Sequence, residues 1–284
     1  SGADPILKSK IIDLLVMDEA SQATEPSAWI PISRAQKIVM AGDHFQLPPT
    51  VISKKAEEMG LAKTLFERLH RLTGEEWKTL LRVQYRMHEK IMAFSSAEFY
   101  GGKLIAHESV KSHTLADLAR VKKNKDTTEV FVFLDTAGRG FEEELEPGSE
   151  SRFNRQEAGL LLDHLNRLLQ SGLKPEEIAV ISPYSAQVRL LSSLMPAPGI
   201  EVDSVDGFQG REKEAVLLSL VRSNLEGTLG FLADTRRMNV AMTRARRKLL
   251  VIGDSATLGN IPFYQDFMAY AESIGAYRSS WEEM

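Results

Sequence analysis

Short, unbroken apolar runs constrain this chain more than any other feature, each followed by polar residues and then by a helix-like stretch. Leu14-Leu15-Val16-Met17 (with Ile11 and Ile12 upstream), Lys37–Ala41, Phe131–Leu134, Ile178–Ser182, Glu214–Leu220 and Lys248–Ile252 have this form, and Ile200–Asp203 reads as a further strand. Strict apolar/polar alternation would mean one buried face. Continuous runs mean strands covered on both faces, as in a parallel sheet between helices. Between the runs, helices are read over 54–72 (Ala56, Met59, Leu61, Leu65, Leu69), after Lys90 through Phe99, over Asn154–Gln170, up to Met195, and over Pro262–Tyr277. Strands alternating with helices predict a doubly wound parallel α/β fold. The stretch 107–129, with its basic knot at Lys122-Lys123-Asn124-Lys125, reads as a surface excursion. Residues 138–151, carrying Glu142, Glu143, Glu144, Glu146 and Glu150, read as a solvated, mobile loop.

With 284 residues the chain can form one large or two modest domains. Its net charge of −4 gives no global basic field, so any nucleic-acid binding must rest on local clusters. Cysteine is absent, which excludes disulfides and thiolate metal sites and fits a reducing, cytoplasmic setting. The six histidines are scattered, so no metal site made by protein ligands alone is expected. No apolar run approaches a membrane span, and no membrane partner is expected. Ser1-Gly2-Ala3-Asp4-Pro5 reads as an artificial boundary rather than a natural start.

The first strand ends in Asp18-Glu19. Open α/β sheets hold ligands at the carboxyl ends of their strands. In phosphate-transfer enzymes an acid there holds Mg²⁺, and a neighbour can orient and deprotonate the attacking water. Five further stretches follow in order: GDHFQLPP (42–49), QYRMH (84–88), SPYSAQV (182–188), VDSVDGFQGREKE (202–214) and NVAMTRAR (239–246). Together with DEAS (18–21), the set resembles the superfamily 1B helicases, the branch of the nonsense-mediated-decay helicase, senataxin and the Smubp helicases, the last group above all. The resemblance implies two RecA-like domains, ATP in the cleft between them, a single strand of DNA or RNA across the top, and 5′ to 3′ movement.

Carried over by position, Asp18 would bind Mg²⁺, Glu19 would be the base for the hydrolytic water, and Gln46 would sense the γ-phosphate. Tyr85 would stack on the adenine, Arg86 would be a first arginine finger and Arg244 a second. Gly210 would lie near the γ-phosphate and Glu212 would bind the ribose. Pro48, Ser182, Tyr184, Gln187, Ser204 and Thr243 fall where the family contacts nucleic acid or couples the two sites. Arg236, Arg237, Arg246, Arg247 and Lys248 read as a basic surface patch.

The match breaks at the phosphate loop. Glycines before a Lys-Thr pair would cradle phosphates. Lys63-Thr64 lacks that context, because Ala62 precedes it in a helical pattern, and no other stretch qualifies. The chain therefore reads as the C-terminal part of a helicase core: residues 1–80 the later half of a first RecA-like domain, residues 81–284 a complete second one. The missing N-terminal half is then an implied partner, and the isolated chain should be inactive. The alternative is a truncated, non-catalytic homologue acting as a nucleic-acid-binding or scaffold module.

Overall fold

The computed structural model describes residues 11–283. The boundary expected at Ser1–Pro5 lies outside them. The chain folds as two compact units, Ser1–Leu80 and Leu81–Met284.

In the first unit, β1 (Ile12–Met17) and β2 (Ala35–Met40) form a two-stranded parallel sheet in register Ile12↔Ala35 to Met17↔Met40. Helix α1 (Glu25–Ile32) links them, and α2 (Lys54–Glu58) and α3 (Leu65–Leu72) follow. The single helix expected over 54–72 is two. Thr64 starts α3 afresh with a capping box, its hydroxyl accepting the Glu67 N–H while the Glu67 carboxylate accepts the Thr64 N–H. The strands expected to be buried on both faces are instead largely exposed: Leu14 is 50% exposed and Val16 62%. A sheet of two strands has neither the neighbours nor the covering layers that such runs require.

The second unit opens with β3 (Val83–Gln84), α4 (Glu89–Tyr100), β4 (Ile105–Ala106) and α5 (Lys125–Thr128). Then come β5 (Phe131–Asp135), the antiparallel pair β6 (Glu144–Leu145) and β7 (Arg152–Phe153), and α6 (Arg155–Gln170). β8 (Ile178–Ser182), α7 (Ser185–Leu194), β9 (Glu201–Ser204) and β10 (Lys213–Ser219) follow. The unit closes with α8 (Thr235–Met242), β11 (Ala245–Gly253), α9 (Ser255–Leu258), α10 (Pro262–Ser273) and β12 (Tyr277–Ser279). Six strands form one all-parallel sheet in the order β12-β5-β11-β10-β8-β9. β5 and β8 are buried along their whole length, as unbroken apolar runs demand. Leu161, Leu165 and Leu168 on one face of α6 pack with Val132, Val180, Leu217 and Leu250. This is the RecA-like, doubly wound α/β architecture.

Three segments differ from expectation. The 107–129 stretch is anchored rather than peripheral, since Leu115 and Val121 belong to the core. The acidic 138–151 segment is pinned by Glu143, which is buried against Arg222. The last helix stops at Ser273, and Tyr277–Ser279 becomes an edge strand on β5. Helices α1 and α8 were not foreseen: α1 contains Pro31, and α8 lies inside a motif without clear apolar spacing. No helix among the described residues is long and apolar enough to cross a membrane.

Candidate functional site

In the first unit the parallel register brings the ends of β1 and β2 to one edge, so DEAS meets GDHFQLPP. Ala41 N–H donates to Met17 O and Ala20 N–H to Ala41 O, both at 2.8 Å. Gly42 is needed there: a Cβ would lie 2.9 Å from the Ser21 nitrogen. Ser21 Oγ accepts the Asp43 N–H at 3.1 Å, and Asp43 Oδ2 accepts from the Gln46 amide at 3.0 Å. Glu19 adopts a left-handed backbone (φ 50°), uncommon for a residue with a side chain. Its N–H donates to Asp18 Oδ1 at 2.9 Å, and both carboxylates are exposed. Pro48 is half-buried beyond this turn.

In the second unit the sheet sorts the remaining residues onto two opposite edges. β10 starts at Lys213 beside Ala245, the start of β11. Glu212, Thr243 and Arg244 therefore meet at the amino edge, where Lys213 N–H donates to Arg244 O at 3.0 Å. The QYRMH turn arrives at the same place. Gln84 Oε1 accepts the N–H groups of Arg86 and Met87, both at 2.8 Å, and shapes the turn. The Arg86 guanidinium pairs with Glu212 and donates to Thr243 O at 3.2 Å. Three motifs far apart in sequence thus converge on one cluster. Arg244 is buried, its Nε donating to Val240 O (3.0 Å) and its Nη2 to Thr243 Oγ1 (3.1 Å). Thr243 Oγ1 donates to Asn239 O at 2.8 Å. Tyr85 stays exposed with its ring 4.4 Å from that of His107, and Gly210 is left-handed (φ 81°).

Sequence reasoning missed Glu214, whose carboxylate holds Arg246 (3.2 Å) and Arg247 (2.7 Å). The signal was available: Glu212 and Glu214 are two apart where a strand begins, so they share a face. Arg246 and Arg247 are thus part of this cluster, not of a plain surface patch. Lys248 is fully buried and donates to Glu129 O at 2.9 Å, and burial pushes its ammonium down to about 8. His88 and His113 back the cluster. Burial, then the neighbouring His113 and Lys90, lower His88 to about 4. Burial likewise lowers His113, whose Nε2 lies 2.8 Å from Arg246 O.

At the carboxyl edge β8 and β9 end together, with Ser182 opposite Ser204. Ser204 Oγ accepts the Gly207 N–H at 3.0 Å. Ser182, Tyr184 and Gln187 are buried. The Gln187 amide accepts from Asn154 N–H (2.9 Å) and donates to Asn154 O (3.2 Å) and Ser219 Oγ (2.9 Å). The Tyr184 hydroxyl donates to Leu229 O at 3.0 Å, and burial raises its pKa, keeping it a donor. Both side chains brace this edge from within rather than offering the direct contact expected of them. Nearby, the Glu143 carboxylate takes Arg222 Nε (2.7 Å), Ser223 N–H (3.0 Å) and Arg152 (3.0 Å). Glu157, fully buried on α6, accepts the Val221 N–H at 3.1 Å, and burial pushes its carboxyl up to about 7. Val221 itself is left-handed (φ 71°), a genuine outlier for a β-branched residue. Among the described residues no group of three or more His, Cys, Asp or Glu is arranged to hold a metal ion.

Two models of the family described as AAA domain match the chain, one over residues 61–256 and one over residues 1–54. DNA-binding protein SMUBP-2 of Rattus norvegicus is 45% identical over 283 residues, which are 99% of this chain and 29% of that protein. DNA polymerase alpha-associated DNA helicase A of Schizosaccharomyces pombe is 45% identical over 259 residues, 89% of this chain and 38% of the relative. An uncharacterised ATP-dependent helicase of Methanocaldococcus jannaschii is 43% identical, covering 95% of this chain and 40% of its own length. The chain thus spans well under half of each of these relatives.

Proposed function

The chain belongs to the AAA-domain helicases of superfamily 1B, in the Smubp-like branch, and from that premise we propose that it is the C-terminal part of an ATP-dependent helicase. In this reading, ATP hydrolysis drives 5′ to 3′ translocation on single-stranded DNA or RNA. Residues 1–80 supply the later half of one RecA-like domain and residues 81–284 all of a second. The exposed apolar faces of β1 and β2 support this, because an upstream segment that completes the sheet would cover them.

The observation that carries the reading is the amino-edge cluster, where Arg86, Glu212, Thr243 and Arg244 come together from three separate motifs. Phosphoryl transfer needs planar positive charge on the γ-phosphate oxygens, which two arginines provide, and a carboxylate such as Glu212 can accept ribose hydroxyls. A scaffold module needs no such combination. Tyr85, exposed beside His107, offers a ring for the adenine, and left-handed Gly210 leaves room near the phosphates.

Asp18 would hold Mg²⁺. One exposed carboxylate suits an ion that keeps several waters and takes its other ligands from phosphate oxygens. When bound, the ion supplies Lewis-acid polarisation of those oxygens. Glu19, exposed and with its carboxylate accepting from the Gln22 amide, takes the proton of the attacking water, and Gln46, held by Asp43, senses the γ-phosphate. At the other edge of the second sheet, Ser204 and the backbone around Ser182 contact the strand's phosphates.

Glu19→Gln in the full-length protein tests the assignment. It should keep ATP binding and abolish hydrolysis, because it removes the base and preserves shape. Normal turnover by that variant would remove Glu19 from the mechanism. The chain by itself should show no helicase-like ATPase.

A further inference from the structure

The loop between β10 and α8 carries an aromatic ring that no motif accounts for. Phe231 is 53% exposed, yet the backbone on either side of it is tightly held. The buried hydroxyl of Tyr184 donates to Leu229 O and that of Tyr264 to Leu232 O, both at 3.0 Å. Gly230 between them is left-handed (φ 55°), and a Cβ there would lie 2.9 Å from the Tyr184 hydroxyl oxygen. Tyr184 is in turn fixed by Arg222, which is paired with buried Glu143. A buried ion pair and a left-handed Val221 are costly features, and here they back the short 3-10 turn Gly230–Ala233 that carries the exposed Phe231.

The ring also has a shelf. It lies 5.5 Å from the Tyr184 ring, and the Arg237 guanidinium sits over it, also at 5.5 Å. Arg237 is bound by Asp206 (3.6 Å) and Asp234 (3.4 Å). Its charge is therefore engaged within the protein and acts as a support for the ring. Asp206 belongs to the Ser204–Gly207 turn, so Phe231 stands beside the proposed phosphate contacts. Isolated exposed apolar side chains are ordinary, and Leu225 in the same loop is one, fully exposed and without such a shelf.

We propose that Phe231 is a stacking platform for one base of the single strand, at the carboxyl edge of the second sheet. The proposal rests on the single-strand reading given above. A flat ring backed by Tyr184 and Arg237 accepts any base through its π face, so it contributes affinity without sequence preference.

The test compares full-length wild type with Phe231→Ala, Phe231→Trp and Leu225→Ala in binding a fluorescent oligothymidylate across a salt series. A second series moves a single abasic position along the strand. Phe231→Ala should bind roughly ten-fold more weakly with an unchanged salt slope, since no phosphate contact is lost. Phe231→Trp should retain binding and gain indole fluorescence that the strand quenches, and Leu225→Ala should match wild type. One abasic position should weaken wild type but not Phe231→Ala, a signature that a merely structural role would not give. If wild type binds and Phe231→Ala binds equally well, or if every abasic position affects the two alike, the platform is wrong and the single-strand reading stands. If wild type itself does not bind, both fall.

Discussion

The two edges of the six-stranded sheet carry ion pairs of opposite character. At the amino edge, Arg86–Glu212 and the Arg246–Glu214 contact lie near the surface, with arginine and glutamate side chains partly in solvent. At the carboxyl edge, Arg222–Glu143 is sealed, with side chains 4% and 5% exposed. Exposed pairs contribute little to stability and exchange partners readily. A buried pair is costly to form and more costly to break. The amino edge thus keeps the Arg86–Glu212 pair open to a nucleotide above the buried Arg244, whereas the carboxyl edge uses its charges to hold a loop in shape.

Removing Arg244 gives the largest expected effect. In the full-length enzyme Arg244→Ala should lower single-turnover hydrolysis by ~10³–10⁵ at saturating ATP and single strand, with a smaller change in ATP affinity. Arg246→Ala, two residues on and already held by Glu214, should cost far less. Equal small losses would mean that the amino edge is only a charged surface.

Breaking the sealed pair comes next. Arg222→Met should destabilise the protein by about 3 kcal/mol, because the buried Glu143 carboxylate loses its buried partner and keeps only Arg152, at the surface, and neutral donors. Arg222→Met with Glu143→Met should recover most of that loss. Arg86→Ala at the other edge should cost no more than ~1 kcal/mol. Chemical denaturation of the four proteins checks the contrast, and an equal loss from Arg222→Met and Arg86→Ala would erase it.

The smallest effects concern pH, and the two edges should respond with opposite sign. Glu157 has a folded-state pKa raised to about 7 by burial. Its contribution to stability is complete below its unfolded value near 4.5 and is lost as pH rises through about 7. His88 is lowered to about 4, so its contribution is complete above 6.5 and is lost as pH falls toward 4. Denaturation midpoints from pH 4 to 8 should flatten on the neutral side in Glu157→Gln. They should flatten on the acid side in His88→Asn, which keeps an N-cap acceptor for the Lys90 N–H now received by His88 Nδ1. Unaltered profiles in both variants would sever the link between these groups and the edges they support.

The apolar runs by themselves determined that the chain is a parallel α/β protein, because period and length reflect local backbone geometry and burial. Phe131–Asp135 and Ile178–Ser182 became fully buried strands as their composition requires. Leu14–Met17 is as apolar, yet Leu14 and Val16 lie exposed and Leu15 and Met17 half-buried, because burial depends on covering layers that a strand cannot encode alone. Spacing along the motifs likewise marked Arg86, Glu212 and Arg244 as candidates one by one. Only the sheet's parallel register decided that they share the amino edge, while Ser182 and Ser204 stand at the opposite one. The same tertiary packing turned Tyr184 and Gln187 inward and left Phe231 in solvent. The direction of a side chain follows from what is packed around it, and those neighbours come from segments far away in the sequence.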